Sequence, residues 1–380
     1  MNKSNNLMEK ASVEELYYYL ALSDVPGIGR VLYKRLIDAF ASPEAVFSAS
    51  PSKLKDVEGI NDKIIKELKD FRPDDEKINN ELVKIKDSGI RLITLNDDSY
   101  PQNLKSIYDP PPYLYVKGDF KNEDRLSVAI IGSRSATNYG RQITETISKE
   151  LSSLGITIIS GMARGIDSFA HQSTLDAGGR TIAVLGCGID IAYPPENKAL
   201  MERIRNSGAV ISEFPFGTPP DAANFPQRNR IISGLSLGTV VIEAADDSGS
   251  LITANYAVEQ CRELFAVPGN ITSRMSKGSN SLIKKGAKLI SSADDIIEEL
   301  IPRLKGELKD IRSLKNSAAI ANLSDEERLI FDNISLEPKH IDKLTIESKM
   351  PTNKTSALLL NMELKGAVKR LSGNMFIRSC

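Results

Sequence analysis

The chain has 380 residues, 41% hydrophobic and 26% charged, so it exceeds one ordinary domain and is apolar enough to bury real cores. A formal net charge of -1 argues against a generalised cationic attraction to nucleic acid without excluding a local site; any such surface must gather its basic residues at one place. Three scattered cysteines (Cys187, Cys261, Cys380) and two histidines (His171, His340) argue against a disulfide framework and a histidine-based metal site, so no metal or other cofactor is expected.

Met1 to Lys10 is polar and lacks the apolar stretch of a signal peptide. No later run reaches the roughly 20 apolar residues of a membrane helix. A cytoplasmic protein with no membrane partner is expected. Residues 11–71 read as helical, with two similar segments. Val25-Pro26-Gly27-Ile28-Gly29 precedes Leu32, Leu36 and Ile37, and Val57-Glu58-Gly59-Ile60-Asn61 precedes Ile64, Ile65 and Leu68. Each places a glycine turn between helices with apolar positions at helical spacing. The pattern resembles paired helix-hairpin-helix elements, also described as SAM-like. It leaves two readings open: turns whose amides approach a phosphate backbone, or two packed hairpins with no ligand. A boundary is expected at Phe71-Arg72-Pro73-Asp74-Asp75, giving a helical domain over residues 1–75.

Residues 76–300 read as an extended Rossmann-like domain. Short strands are expected at Arg91–Leu95 and Tyr113–Val116, the second ended by Gly118. From about residue 126 strands and helices alternate. The strand candidates are Ser127–Ile131, Thr157–Ser160, Thr181–Leu185, Ala209–Ser212, Thr239–Ile242, Glu263–Val267 and Lys288–Ile290; helices are expected over 140–154, 167–177, 196–207 and 251–261. Short apolar strands separated by helices predict an α/β fold with a mostly parallel sheet covered on both faces. Residues 301–320 read as a linker. Residues 321–380 form a last domain, opened by a helix with Ser324 as cap and Glu327 completing a capping box.

Four strand ends carry turn chemistry: Ile131 to Arg134, Ser160 to Asp167, Leu185 to Asp190, and Glu243 to Ser250. In an open parallel sheet these ends face one side, where ligands bind. Glycine lets backbone approach closely and the following helix turns free amides outward, a rim suited to anions. Gly132 to Gly140 lacks the dinucleotide fingerprint, with Arg134 where its second glycine would fall, and no Walker lysine follows any strand. NAD and ATP are disfavoured.

The most informative stretch is Asn224-Phe225-Pro226-Gln227-Arg228-Asn229-Arg230, just before an apolar helix-like run. Arginine contacts phosphate, and a phenylalanine face accepts a stacked base. The alternative is that Phe225 fills a core and the arginines pair with carboxylates. Spacing alone leaves both open.

The run from Ile131 to Ile290 resembles the DNA-processing protein A family (DprA, also called Smf). Besides the stretches above, the resemblance rests on Ala170-His171, Tyr193-Pro194, Ser212-Glu213-Phe214-Pro215, Ile231 to Ser236, Ser248 to Ala254 and Val267-Pro268-Gly269. It implies a cytoplasmic homodimer that binds and protects single-stranded DNA and loads the recombinase RecA onto it in natural transformation and homologous recombination, with single-strand-binding protein as a further partner. It also implies that Arg134 meets phosphate and Phe225 stacks on a base. Gly132, Ser133, Arg164, Arg228, Asn229 and Arg230 would shape the same pocket, with the amides near Gly161 and Ser250. Many members carry a lysine three residues before the phenylalanine, where this chain has Ala222. A lost phosphate contact lowers affinity and salt dependence; Lys198, Arg274 and Lys277 are the candidates to replace it. The tail, Ile341 to Met350, Thr352 to Gly366 and Val368 to Arg378, looks like a winged helix. Its second helix carries Leu358, Leu359, Leu360 and Met362 between Lys354 and Lys365, leaving DNA binding and protein docking both open.

The rival reading is a nucleotide hydrolase or phosphoribohydrolase on a related fold. Such enzymes carry a Pro-Gly-Gly-x-Gly-Thr turn and a glutamate where this chain has Asp246 to Thr253. Asp167 and His171 stand four apart on one helix, as an acid–base pair would, but no nucleophile stands near them and a helix cap beside a packed histidine also explains them. Catalysis is not expected. A third reading is a structural hub whose rim binds nothing.

Overall fold

The structure is a computed structural model that describes residues 12–300, 323–335 and 337–378. The expected linker at 301–320, the polar start and Cys380 lie outside the described residues. The chain divides into two compact units, one up to Glu298 and one from Glu299.

The first unit is built on a nine-stranded sheet. Its strands are β1 (Arg91–Thr94), β2 (Tyr113–Gly118), β3 (Ser127–Ile131), β4 (Thr157–Ser160), β5 (Thr181–Val184), β6 (Ala209–Ser212), β7 (Gly238–Val241), β8 (Glu263–Ala266) and β9 (Lys288–Leu289). Their order is β1-β2-β6-β5-β4-β3-β7-β8-β9. From β6 to β9 all neighbours run parallel, while β2 joins β6, and β1 joins β2, antiparallel. The expected mostly parallel α/β sheet is observed. β3 to β7 are mostly β-branched or apolar runs buried on both faces, and β8 is buried at Phe265 and Ala266, which a parallel sheet requires because crossover helices cover both sides.

Chain order moves from β3 outward to β6, then returns to β7 on the other flank of β3. The ends of β3 and β7 therefore form a topological switch point, where an open α/β sheet leaves a crevice. Ile131 pairs with Val241, so the turns after both strands leave the sheet at the same level.

Alternate strand residues fill two cores. Ile182, Val184, Ala209 and Ile211 pack with Ile231, Ile232 and Leu235 of the helix Asn224–Leu235. Ala183, Leu185 and Val210 face the other way, against Leu200, Met201 and Ile204 of the helix Lys198–Ser207. That second core continues into the N-terminal helices through Leu32, Tyr33, Leu36 and Ile65. The two glycine turns lie between Val13–Ser23 and Arg30–Phe40 and between Pro51–Lys55 and Asp62–Asp70, with Gly27 at φ +86° and Gly59 at φ +93°. The helical hairpins are thus as expected, and they share a core with the sheet.

Charge joins the same elements. Glu213, beyond β6, accepts from Arg30 Nε at 3.0 Å and from Arg230 Nη2 at 2.5 Å, and Arg230 also faces Asp109 at 3.2 Å. Glu81 accepts from the Tyr115 hydroxyl and the Phe216 amide.

The second unit contains the helices Asp325–Phe331, Ile341–Ser348 and Thr352–Leu364, and a sheet of order β10-β12-β11 (Lys339–His340, Met375–Arg378, Val368–Leu371). This is the expected winged-helix arrangement. The Ser324–Glu327 capping box is formed in both directions. Leu359 and Met362 are fully buried in the unit's own core with Leu358 packed against it, and only Leu360 of that group is exposed. Lys354 and Lys365 pair with Glu326 and Glu327. The apolar run of the second helix therefore builds the domain.

Candidate nucleic-acid interface

A cleft of about 700 Å³ lies at the switch point. The turn after β3 supplies Gly132, Ser133 and Arg134; the helix Asn224–Leu235 supplies Phe225, Arg228 and Asn229; the loop after β7 supplies Asp247 and Ser250; Arg274 closes the rim. A small depression beside it is lined by Gly161, Arg164, Gly186, Cys187 and Tyr193, and shares Arg134, Phe225 and Arg228. Residues far apart in sequence meet here because every parallel strand delivers its turn to one edge.

Phe225 lies inside the first turn of its helix, not before it. Pro226 fits there because first-turn amides have no intrahelical partner to lose. Asp221 engages the amides at the start of this helix, its Oδ1 accepting from Ala223 N–H at 2.8 Å and its carbonyl from Asn224 N–H at 3.1 Å. The half-buried Phe225 ring stacks on Tyr193, with centroids 5.7 Å apart at 30°. Gly186 forms the floor: a Cβ there would lie 2.7 Å from Phe225 Cδ1, so only glycine lets the ring down onto this turn. Arg134 Cζ stands 5.4 Å from the ring centroid and Arg228 Cζ 5.7 Å.

The two cations differ. Arg134 is exposed and has no ion-pair partner among the described residues. Arg228 is buried and donates to the carbonyls of Gly161 (2.6 Å) and Val184, tying the ends of β4 and β5 to the helix. Burial lowers its guanidinium to about 10, against the opposing pull of Asp167. Asn229 accepts from Arg228 Nε at 3.2 Å and reaches the Gly249 carbonyl at 3.4 Å, positioning the loop after β7.

Arg230 is not part of the cleft, contrary to expectation. One residue past Asn229 turns about 100° around the helix, away from the face of Phe225, Arg228 and Asn229. Its side chain is 2% exposed and pairs with Glu213 and Asp109. Lys198 and Lys277 are exposed at the starts of their helices and do not line the cleft. Ala222 does, so the position of the missing lysine faces the cleft; Arg274 alone of the three candidate replacements reaches it, and Asp247 holds it at 3.0 Å. Arg164 reaches the depression but pairs with Glu196.

The expected amides are engaged too. Those of Gly161 and Ala163 donate to Asp167 at 3.1 and 3.3 Å, and that of Ser250 to Ser248 Oγ at 3.3 Å. Attraction for an anion on this rim comes from side chains. At the N-terminal turns, the Ile28 and Ile60 amides bond to Val25 and Val57, and Arg30 points inward to Glu213 and Gln227.

Asp167 and His171 form no acid–base pair. Asp167 is buried on the loop amides, and burial pushes its carboxyl up. His171 is fully buried, its Nδ1 lies 2.7 Å from Thr181 Oγ1, and burial lowers it to about 3. Among the described residues no three His, Cys, Asp or Glu side chains gather as metal ligands. Tyr193, Asp247 and Glu243 were not picked out as site residues from the sequence. Tyr193 could have been found from its place in the Tyr193-Pro194 motif.

Residues 91–301 match the family described as DNA recombination-mediator protein A, residues 315–374 the DprA winged helix domain, and residues 19–71 the SAM-like helix-hairpin-helix tandem. Protein Smf of Synechocystis is 35% identical, covering 96% of this chain and 99% of its own. DNA processing protein DprA of Bacillus subtilis is 43% identical over 62% of this chain and 79% of its own. The X-ray structure of DNA processing protein A from Streptococcus pneumoniae superposes with a TM-score of 0.64 at 33% identity, covering 76% of this chain and 98% of that one. The structure of DNA processing protein A from Helicobacter pylori, described for its single-stranded DNA binding mode, has a TM-score of 0.51 at 33% identity, covering 57% and 98%.

Proposed function

The chain belongs to the DNA recombination-mediator protein A family, and from that premise we propose that it binds single-stranded DNA in the cleft between β3 and β7. In this reading it protects the strand and loads RecA onto it in natural transformation and homologous recombination. It acts as a cytoplasmic homodimer and works against single-strand-binding protein.

One observation carries the reading: an unpaired arginine, Arg134, is held over an accessible aromatic ring, Phe225, in an open cleft. Single strands are bound by this combination, a cation tracking the phosphates and a ring face accepting a base of any sequence. Gly132 and Ser133 carry Arg134 there; Gly161, Arg228, Asn229 and Ser250 shape the walls, and Arg164 and Arg274 flank them. The protein makes and breaks no covalent bond. Asp167 and His171, the pair on which a hydrolase reading rests, are committed to the loop amides and to Thr181.

Electrophoretic mobility with short oligo-dT tests binding: Arg134→Ala and Phe225→Ala lose the shift while folding is unchanged. A shift that survives both substitutions removes the cleft from the account. The mediator role is read by whether the protein lets RecA displace single-strand-binding protein without an ATP requirement of its own. Release of free base from nucleoside monophosphates would establish the hydrolase instead.

A further inference from the structure

The turn after β3 leads into the 16-residue helix Asn138–Ser153, at the place where a Rossmann-like domain cradles a nucleotide phosphate on backbone amides. In this chain several of the turn's donors are taken from within. Ser133 N–H donates to the Glu243 carbonyl at 2.7 Å, and Ser135 N–H to Ser133 Oγ at 3.1 Å. Thr137 N–H and Oγ1–H donate to the two Glu243 carboxylate oxygens at 2.9 and 2.6 Å. Gly140 N–H donates to Thr137 Oγ1 at 3.1 Å.

The carboxylate is built in. Glu243 is 3% exposed, and a Cβ on Gly140 would lie 2.3 Å from its Oε2, so the first helical turn is shaped to receive it. The next turn repeats the arrangement, with Asp167 on the Gly161 and Ala163 amides.

We propose that Glu243 is a resident anion that fills the phosphate position of the β3 turn and so makes the cleft reject mononucleotides. A nucleoside monophosphate needs several amides around one terminal phosphate and meets a fixed negative charge instead. A strand needs only its diester phosphates near Arg134 and a base on Phe225, both of which line the cleft, while Glu243 is buried. The selectivity for strand over mononucleotide rests on the proposed single-strand binding; the filled turn does not.

The test uses the full chain with fluorescent oligo-dT, dTMP and inorganic phosphate. Wild-type protein binds oligo-dT, dTMP does not displace it, and phosphate does not raise the melting temperature. Glu243→Ala opens the turn: phosphate raises its melting temperature, and dTMP displaces oligo-dT at concentrations on the order of tenfold below the highest that leaves wild type bound. Displacement by dTMP from wild type, or a folded Glu243→Ala that gains neither effect, overturns the proposal. Should the variant not fold, NMR of the wild type decides: a Thr137 amide unmoved by phosphate supports the proposal, and one that shifts on saturation overturns it. If wild type binds no oligo-dT, the single-strand reading fails, while the phosphate arms still report on Glu243.

Discussion

Replacing Phe225 by alanine isolates the aromatic half of the site. The ring rests on the Gly186 turn, stacks on Tyr193 at 5.7 Å and carries Arg134 at 5.4 Å, so its accessible face is held in place before any base arrives. A stacked base contributes about 1–3 kcal/mol, so Phe225→Ala should weaken oligo-dT binding by about 5- to 150-fold. The charge count is untouched, so the slope of log K against log salt should stay as in wild type. Arg134→Ala should do the reverse in kind, lowering that slope by about 0.7 for one lost phosphate contact on a single strand. Fluorescence anisotropy of labelled oligo-dT across a salt series reads both. Phe225→Trp, which keeps a ring plane, should bind within a few-fold of wild type. The reasoning is refuted if Phe225→Ala binds as tightly as wild type, or if its loss is matched by an equal change in salt slope.

Asp247→Asn releases Arg274 into the cleft, so oligo-dT should bind more tightly with a salt slope steeper by up to about 0.7, and Arg274→Ala in that background should cancel the gain. Glu213→Ala leaves the buried Arg230 with Asp109 as its remaining carboxylate partner and removes the Arg30 contact. Urea unfolding should show a loss of up to about 3 kcal/mol, short of the cost of orphaning a buried charge outright. His171 should make the protein acid-sensitive. Its folded value of about 3 lies below the unfolded 6.5, so its neutral form stabilises the fold fully above pH 6.5. That contribution declines as pH falls toward 3, because the unfolded chain takes up the proton first, by up to about 1.4 kcal/mol per pH unit. Asp167, raised in the fold, acts in the opposite sense, so the comparison is between wild type and His171→Gln: the melting temperature of the variant should fall less between about pH 7 and 5.

The sheet was legible because its buried strands are short apolar runs separated by glycine turns, and local composition decides both. The antiparallel addition of β1 and β2 beyond β6 was not, since strand order depends on which edge is free and not on the strands' own residues. Phe225 and Arg134 could be nominated from residue type, and the fold brings them together. Arg230 could not be excluded from its spacing until the helix was known to begin at Asn224, because Pro226 reads as a break and only the helical rotation turns Arg230 toward Glu213. Whether the glycine turns offered free amides was also hidden. The carboxylates that engage them, Glu243 and Asp167, are residues whose partners are set by the tertiary structure.

Photo-crosslinking of oligonucleotides carrying 5-iododeoxyuridine, followed by peptide mapping, reports directly which side chains lie against an unpaired base. The account predicts crosslinks in peptides containing Phe225 or Tyr193, abolished by an excess of unlabelled oligo-dT and retained under an excess of dTMP. Crosslinks confined to residues 323–378, with none in the cleft, would contradict it.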